Sequence, residues 1–468
     1  MSDLFKDKGS FRDPSGFVYS RDGILYRQVN ISYKDDYEHL MNSGLYSDLI
    51  ENNLIVEHKV VDTDPFDDSC SYVVIKPLEL PFFSYPYEWC FSQYKSAALA
   101  TLEIQKKALA YDMTLKDSSA YNFQFKDNSP ILIDTLSFEI YREGSPWEGY
   151  QQFCKHFLAP LLLMSIRDVR LNSLLRVYID GIPLDLVSSL LPFKTRFNFS
   201  TLAHIHLHAK AQERYKSGDG DGDSNRVQGP EKAALKKEGI LSIIDSLERQ
   251  IRKLNRNQKV TSWGDYNKFH NYSDESYQQK LKLVETFIHQ VNPTTVWDFG
   301  ANTGDFSRLA SKKCITTISF DIDPSAVEQG YLKSVAEQDI NIHHFIIDLM
   351  NPSPNLGWNN AERKSLKARG PADLLLALAL VHHLAIGNNL PFEMISGYFS
   401  EITEWLVIEF VPKTDSQVKI LLSSRKDIFS DYTIENFESA FAIDFSTIEK
   451  KQITGTDRTL YLMKKNTK

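Results

Sequence analysis

The chain has 468 residues, 42% hydrophobic and 24% charged, and a formal net charge of −8. That length implies roughly two or three domains, and the composition is that of a soluble globular protein. No apolar run approaches the roughly 18 residues of a membrane helix, the acidic balance argues against a broad nucleic-acid surface, and four scattered cysteines without a Cys-x-x-Cys offer no disulfide or metal framework. The charged N-terminus has no apolar signal region, so the cytoplasm is the expected compartment.

In chain order, residues 16–20 and 24–29 read as strands around Asp22-Gly23, a hairpin dipeptide. A helical stretch follows over 33–52, then branched, strand-like segments at 54–61 and 72–76. The proline- and aromatic-rich tract 77–89 reads as a connector, and a helix is expected over 92–111. Next comes Leu115-Lys-Asp-Ser-Ser-Ala-Tyr-Asn-Phe-Gln-Phe125, a turn, and residues 131–139, in which a strand is expected to end at Asp134. Asp117 and Asn122 are five apart, and Asp134 follows twelve residues later. Read by residue type alone, Asp117 and Asn122 cap turns and Asp134 ends a strand.

The same three residues resemble the catalytic loop and metal-binding Asp of the protein-kinase and aminoglycoside-kinase superfamily. By that resemblance Asp117 accepts a substrate proton, while Asn122 and Asp134 hold magnesium at the phosphates of ATP. Three features depart from the pattern. No glycine-rich loop occurs near residues 10–25, no His precedes the loop Asp, and only Arg27 and Lys76 are candidates for the phosphate-pairing lysine. Both an active kinase and a pseudokinase-like binding module remain open for an α+β domain over 1–208.

Residues 147–192 are helical and strongly apolar, as core. His204, His206 and His208 share one face if 201–208 is a strand; a zinc site is one reading. A packed or solvated face is preferred, because no carboxylate or cysteine completes a site. The Gly/Asp-rich tract 216–226 marks a flexible linker over 209–232. It is not a calcium loop, since Pro230 stands where a bidentate Glu would fall. An amphipathic helix to about residue 257 and a second one ending past Ile288 make a helical cap or connector over 233–295.

From Val296 the chain alternates strands and helices, as an α/β doubly wound, mostly parallel sheet does. An apolar strand runs into Asp298-Phe-Gly-Ala-Asn-Thr-Gly304, and a helix is expected from near Phe306. The glycines are spaced G-x-x-x-G, which is not the dinucleotide fingerprint. Asp321 ends a second strand 21 residues beyond Gly300, and Asp348 ends a third. The apolar run 373–384 reads as a central buried strand ending in His382-His383. A fifth strand spans 405–412, and the tail supplies two antiparallel edge strands.

Residues 298–304 resemble motif I of class I S-adenosylmethionine (SAM) methyltransferases, which implies a Rossmann-like domain over 296–468 with SAM as cofactor. By that resemblance Gly300, Asn302 and Gly304 form the cofactor turn and Asp298 meets the methionine amino group. Asp321 takes the ribose hydroxyls, Asp348 with Leu349 meets the adenine, and Tyr266 and Tyr272 cover the pocket or pack within the cap. From Tyr85-Pro-Tyr-Glu-Trp through Leu115–Asn122 and 147–160 into this domain, the chain is similar to methyltransferases related to the nodulation protein NoeA. The fourth strand is not followed by the Asn/Asp-Pro-Pro-Tyr/Phe motif of amide and exocyclic-nitrogen methylases. O-methylation of a small or carrier-bound molecule is therefore expected, with His383 or His382 as base unless both only pack the strand end. No membrane, nucleic acid or resident metal is expected as partner. The N-terminal domain is expected to recruit substrate or a protein partner, or to bind ATP and magnesium.

Overall fold

The computed structural model describes residues 4–209, 236–256, 272–423 and 426–467. The chain divides into two units, Met1–Gln258 with Leu356–Arg363 and Lys259–Asn355 with Lys364–Lys468. The linker expected at 209–232, except for Ala209, and Tyr266 lie outside the described residues. The expected collar over 233–295 is shared between the units: the helix Lys237–Lys253 falls in the first, Asp274–Val291 in the second. No helix among the described residues is long and apolar enough to cross a membrane.

The first unit opens with five antiparallel strands: β1 (Leu4–Lys6), β2 (Gly16–Arg21), β3 (Ile24–Asn30), β4 (His58–Val60) and β5 (Ser71–Pro77). Their order in the sheet is β1-β2-β3-β5-β4. Asp22 and Gly23 both take positive φ (51° and 78°), the backbone a two-residue hairpin between twisted strands needs. Between β3 and β4 run the helices Lys34–Asn42 and Leu45–Glu51, separated at Gly44. The long helix Phe91–Ala110 is pinned at its start by Gln93, whose side-chain oxygen accepts from the Cys90 N–H at 3.0 Å. It buries Tyr94, Ala97, Ala98 and Leu102, and its Lys106 reaches Asp245 and Glu248 of the helix Lys237–Lys253 at 2.7 and 2.5 Å.

After that helix come β6 (Met113–Leu115), β7 (Phe123–Lys126), β8 (Ser129–Leu132) and β9 (Phe138–Ile140), paired β6 with β9 and β7 with β8. The strand expected to end at Asp134 stops two residues earlier, at Leu132. Asp134 turns the chain by accepting the Leu136 N–H at 2.9 Å and capping a short helical turn. The histidine run is helical, not a strand, so the three rings do not share a face by period-two alternation. His204 and His208 both bond the Tyr150 hydroxyl, at 2.7 and 3.1 Å, and His206 bonds Ser188 and Thr195.

The second unit is a seven-stranded sheet: β10 (Thr295–Phe299), β11 (Thr316–Asp321), β12 (Ile342–Ile346), β13 (Ala372–Ala377), β14 (Thr403–Phe410), β15 (Phe445–Gln452) and β16 (Thr459–Lys465). The order is β12-β11-β10-β13-β14-β16-β15, the first five parallel and β16 antiparallel to both neighbours. This is the class I methyltransferase fold. Its core joins Val296, Leu374, Leu376 and Val407 of the central strands to Val284, Phe287 and Ile288 of the helix Asp274–Val291. The chain runs outward from β10 to β12 and then crosses back to β13, so strand order reverses between β10 and β13. Beyond the carboxyl ends of such strands an open α/β sheet has its ligand crevice.

One expected strand is shorter than its apolar run. β13 ends at Ala377; Ala379 takes φ 49°, and its N–H bonds the Glu409 carboxylate at 2.7 Å. His382 and His383 therefore belong to the turn and to the helical segment His383–Gly387, not to the strand. The run stays apolar because this turn is itself buried: Leu378, Val381 and Leu384 are all in the core.

Candidate functional site

The carboxyl ends of β10, β11, β12 and β13 surround a cavity of about 310 Å³. Asp298, Gly300, Asn302, Asp321, Asp348, Leu349, Tyr272 and His383 all line it. Gly304 does not, but it shapes the turn. It takes φ 85°, and a Cβ there would stand 2.9 Å from the His344 ring, so both backbone and space demand glycine. Gly300 takes φ 73°, and a Cβ there would press on Leu380 at 3.3 Å, across the cavity rim. Gly300 and Ala301 donate their N–H groups to Phe320 O at 2.9 and 3.0 Å, which ties the turn to β11.

The three acids are held differently. Asp298 is buried, and its carboxylate accepts the Ser307 hydroxyl at 2.6 Å. Burial pushes its pKa up to about 7; the Ser307 hydrogen bond pulls the other way and the charge of Asp321 adds to the rise. Asp321 accepts Asn302 N–H on one oxygen at 2.7 Å and Asp323 N–H on the other at 2.8 Å. Burial pushes it up to about 6 against those two amide bonds and the Ile322 amide. A carboxylate has about four acceptor sites, so Asp321 keeps acceptor capacity toward the cavity. Asp348 takes the Met350 N–H at 2.9 Å. Asn302 itself sits at φ 51° and accepts the Thr303 N–H at 2.9 Å, the short-range bonding that lets Asn occupy this conformation.

At the other end of the cavity lies a buried charge cluster that the sequence reading did not assemble. Lys280 reaches Glu409 at 2.6 Å, and Arg458 bonds Asp415 at 2.8 Å and the Tyr272 hydroxyl at 2.7 Å. Tyr272 donates to Glu409, which also receives Ala379 N–H. Burial alone would raise Glu409, but Lys280 and Arg458 hold its carboxyl below the ordinary range. Lys280 lines the cavity and lies 4.7 Å from the Phe306 ring centroid and 5.0 Å from that of Tyr272. It has three N–H groups, of which Glu409 and, at 3.3 Å, the Tyr272 hydroxyl take two. The sequence held one clue: a lysine four residues before Val284 on the buried stripe of its helix, and a glutamate inside the apolar run of β14. Each needs a buried partner. The partners lie far apart in the chain, so the sequence did not pair them.

His383 faces the cavity, and burial with the charge of Arg458 lowers its pKa, favouring the neutral ring. His382 is buried, does not line the cavity, and packs at a tilt against His383 with ring centroids 4.2 Å apart. Burial first, and then its neighbour His383, lower its pKa well below that of a free imidazole.

In the first unit the kinase-like residues also come together. Asp117 accepts the Ser119 N–H at 2.9 Å and is bonded by Asn122; burial, then the charge of Asp134, raises its pKa. Asn122 donates to the Ser137 hydroxyl at 3.4 Å. Asp134 is paired with Arg27 of β3 at 2.6 Å. Arg27, one of the two candidates for the phosphate-pairing lysine, thus reaches this cluster. Among the described residues no three His, Cys, Asp or Glu side chains gather in a way that could hold a metal ion.

No protein-family model matches the chain. Among solved structures it is similar to the bifunctional kinase-methyltransferase WbdD, 14% identical over 41% of this chain and 40% of that one with a TM-score of 0.28. It is also similar to the N-methyltransferase NodS from Bradyrhizobium japonicum WM9, 10% identical over 42% and 99% with a TM-score of 0.30. Both likenesses are too distant to bear on activity. The nodulation protein NoeA of Rhizobium meliloti (strain 1021) is 34% identical over 469 residues, 98% of this chain and 96% of that protein. With a relative that similar from end to end, the chain belongs to the NoeA family.

Proposed function

We propose that the second unit binds SAM and that the protein is a SAM-dependent methyltransferase acting on a hydroxyl of a small or carrier-bound molecule. The observation that carries this reading is the convergence of Asp298, Asp321 and Asp348, from three adjacent parallel strands, on one cavity beside a glycine turn at the reversal of strand order. The residues fit the ligand end by end. Asp298 offers an anion to the methionine ammonium, and Lys280 offers a cation with a spare N–H to the carboxylate. Asp321 turns its remaining acceptor capacity to the ribose hydroxyls, Asp348 and Leu349 meet the adenine, and Tyr272 flanks the amino-acid end.

When bound, SAM supplies an electrophilic methyl group on a sulfonium whose departure needs no proton. The chain's own task is then to orient the acceptor, which in favourable cases supplies about 7–11 kcal/mol, and to remove the hydroxyl proton. A neutral His383 lining the same cavity suits that second task, worth about 10²–10⁴-fold. His382 is assigned a supporting role behind it. The test is transfer of labelled methyl from SAM to fractionated extract by wild type and His383→Ala. Label in an ether or ester, lost at least about a hundredfold in the variant, supports the reading. Label on nitrogen or carbon, or an unaffected variant, contradicts it.

For the first unit the gathering of Asp117, Asn122, Asp134 and Arg27 favours a kinase-like module that binds ATP with magnesium, or that presents substrate or a protein partner. A melting shift with ATP and magnesium that is lost in Asp134→Ala supports nucleotide binding. No shift in the wild type supports the presenting role.

A further inference from the structure

The first unit exposes a short aromatic and basic segment that neither reading uses. Phe193, Phe197 and Phe199 are 68%, 80% and 82% exposed, among the most exposed large apolar side chains described. Lys194 and Arg196 lie between them and are exposed as well. The segment is not loose. Thr195, between the two cations, is buried and bonds Pro192 O at 2.7 Å and the His206 ring at 3.0 Å. Asn198 accepts the Thr201 N–H at 3.0 Å, and Ser200, directly after Phe199, bonds Gln250 at 2.5 Å. Phe193 and Phe197 pack edge to face with centroids 5.7 Å apart, and the Arg196 guanidinium lies 5.3 Å from the Phe193 ring centroid. A fixed backbone thus presents rings and cations outward together.

The charge of the local sequence is as unusual as the exposure. No Asp or Glu occurs in residues 186–212, in a chain that carries 61 acids and a net charge of −8. Rings interleaved with cations and free of acids match the boundary of an anionic bilayer, where rings sit at the acyl edge and cations at the level of the phosphates. We propose that residues 193–199 dock the protein on an anionic lipid surface. The expectation of no membrane partner rested on the absence of spanning segments, and resting on a bilayer requires none.

Flotation of the full chain with vesicles of phosphatidylglycerol and phosphatidylethanolamine, against phosphatidylcholine alone, tests this. The wild type should float with the anionic vesicles only, and less at high salt. Phe197→Ser with Phe199→Ser should weaken binding roughly tenfold or more. Lys194→Gln and Arg196→Gln should each weaken it about fivefold, and these two conservative surface changes keep the test decisive should the serine pair not fold. If the wild type floats with neither vesicle, or binds both equally, the proposal is overturned, and a protein partner becomes the better occupant for these rings. Floating unaltered by either set of substitutions overturns it too.

Discussion

Asp321 of the second unit and Asp134 of the first each lie at or just beyond the end of a strand and each accept a backbone N–H, yet their remaining oxygen capacity is used differently. Asp134 meets Arg27, a cation of its own unit, at 2.6 Å. Asp321 meets only amides and turns what is left toward a cavity, as Asp298 does beside the Ser307 hydroxyl. Acids in a buried place without an ion-pair contact are costly to ionise, which is why burial pushes Asp298, despite the charge of Lys280, and Asp321 up to about 7 and about 6. Such a site favours a ligand that brings its own positive charge and hydroxyl donors. The acids of the first unit are better satisfied internally, so a ligand there must first compete with Arg27.

Four changes would break or sharpen this contrast. The largest effect is expected at Glu409, where Glu409→Ala leaves Lys280 and Arg458 buried without their shared anion. A loss of about 3–5 kcal/mol in unfolding free energy is expected, measured by urea denaturation; a loss below about 1 kcal/mol would mean the cluster is dispensable. Next, Asp321→Asn should weaken binding of S-adenosylhomocysteine, the demethylated product, by about 10–100-fold by calorimetry, the value of a few hydrogen bonds to a charged group. Third comes pH. Only ionised Asp298 attracts an ammonium group, and its carboxyl titrates near 7 in the free protein. Affinity should therefore be full above that pH and fall as pH drops, by up to about tenfold per unit; Asp298→Asn should flatten the profile. The smallest effect is expected in the first unit. Arg27→Met breaks a pair whose side chains are 13% and 17% exposed and should cost about 1 kcal/mol, while leaving SAM binding unchanged. A parallel loss of SAM binding would contradict the independence of the two sites.

Much of the second unit was legible in the sequence. Its five parallel strands are largely buried and so read as apolar runs, and its glycines and acids stand where those runs stop. The end of β13 was not legible, because Leu378 and Val381 keep the run apolar through a turn that is itself buried. Only the bond from Ala379 to Glu409, 30 residues away, marks where extension stops. The local form at 204, 206 and 208 was not legible for a related reason: alternation over a few residues does not separate a strand from a helical turn, and their Tyr150, Ser188 and Thr195 partners are distant in the chain. The cluster around Glu409 joins residues from 272 to 458 and could be assembled only in three dimensions.

The central claim is tested most directly by calorimetric titration of the full-length wild-type chain with SAM and S-adenosylhomocysteine. Saturable binding of both at one site per chain, weakened by Asp321→Asn and by lowering the pH below about 7, is the predicted result. Absence of heat and of any melting shift with either compound, in protein that unfolds cooperatively, would contradict the account.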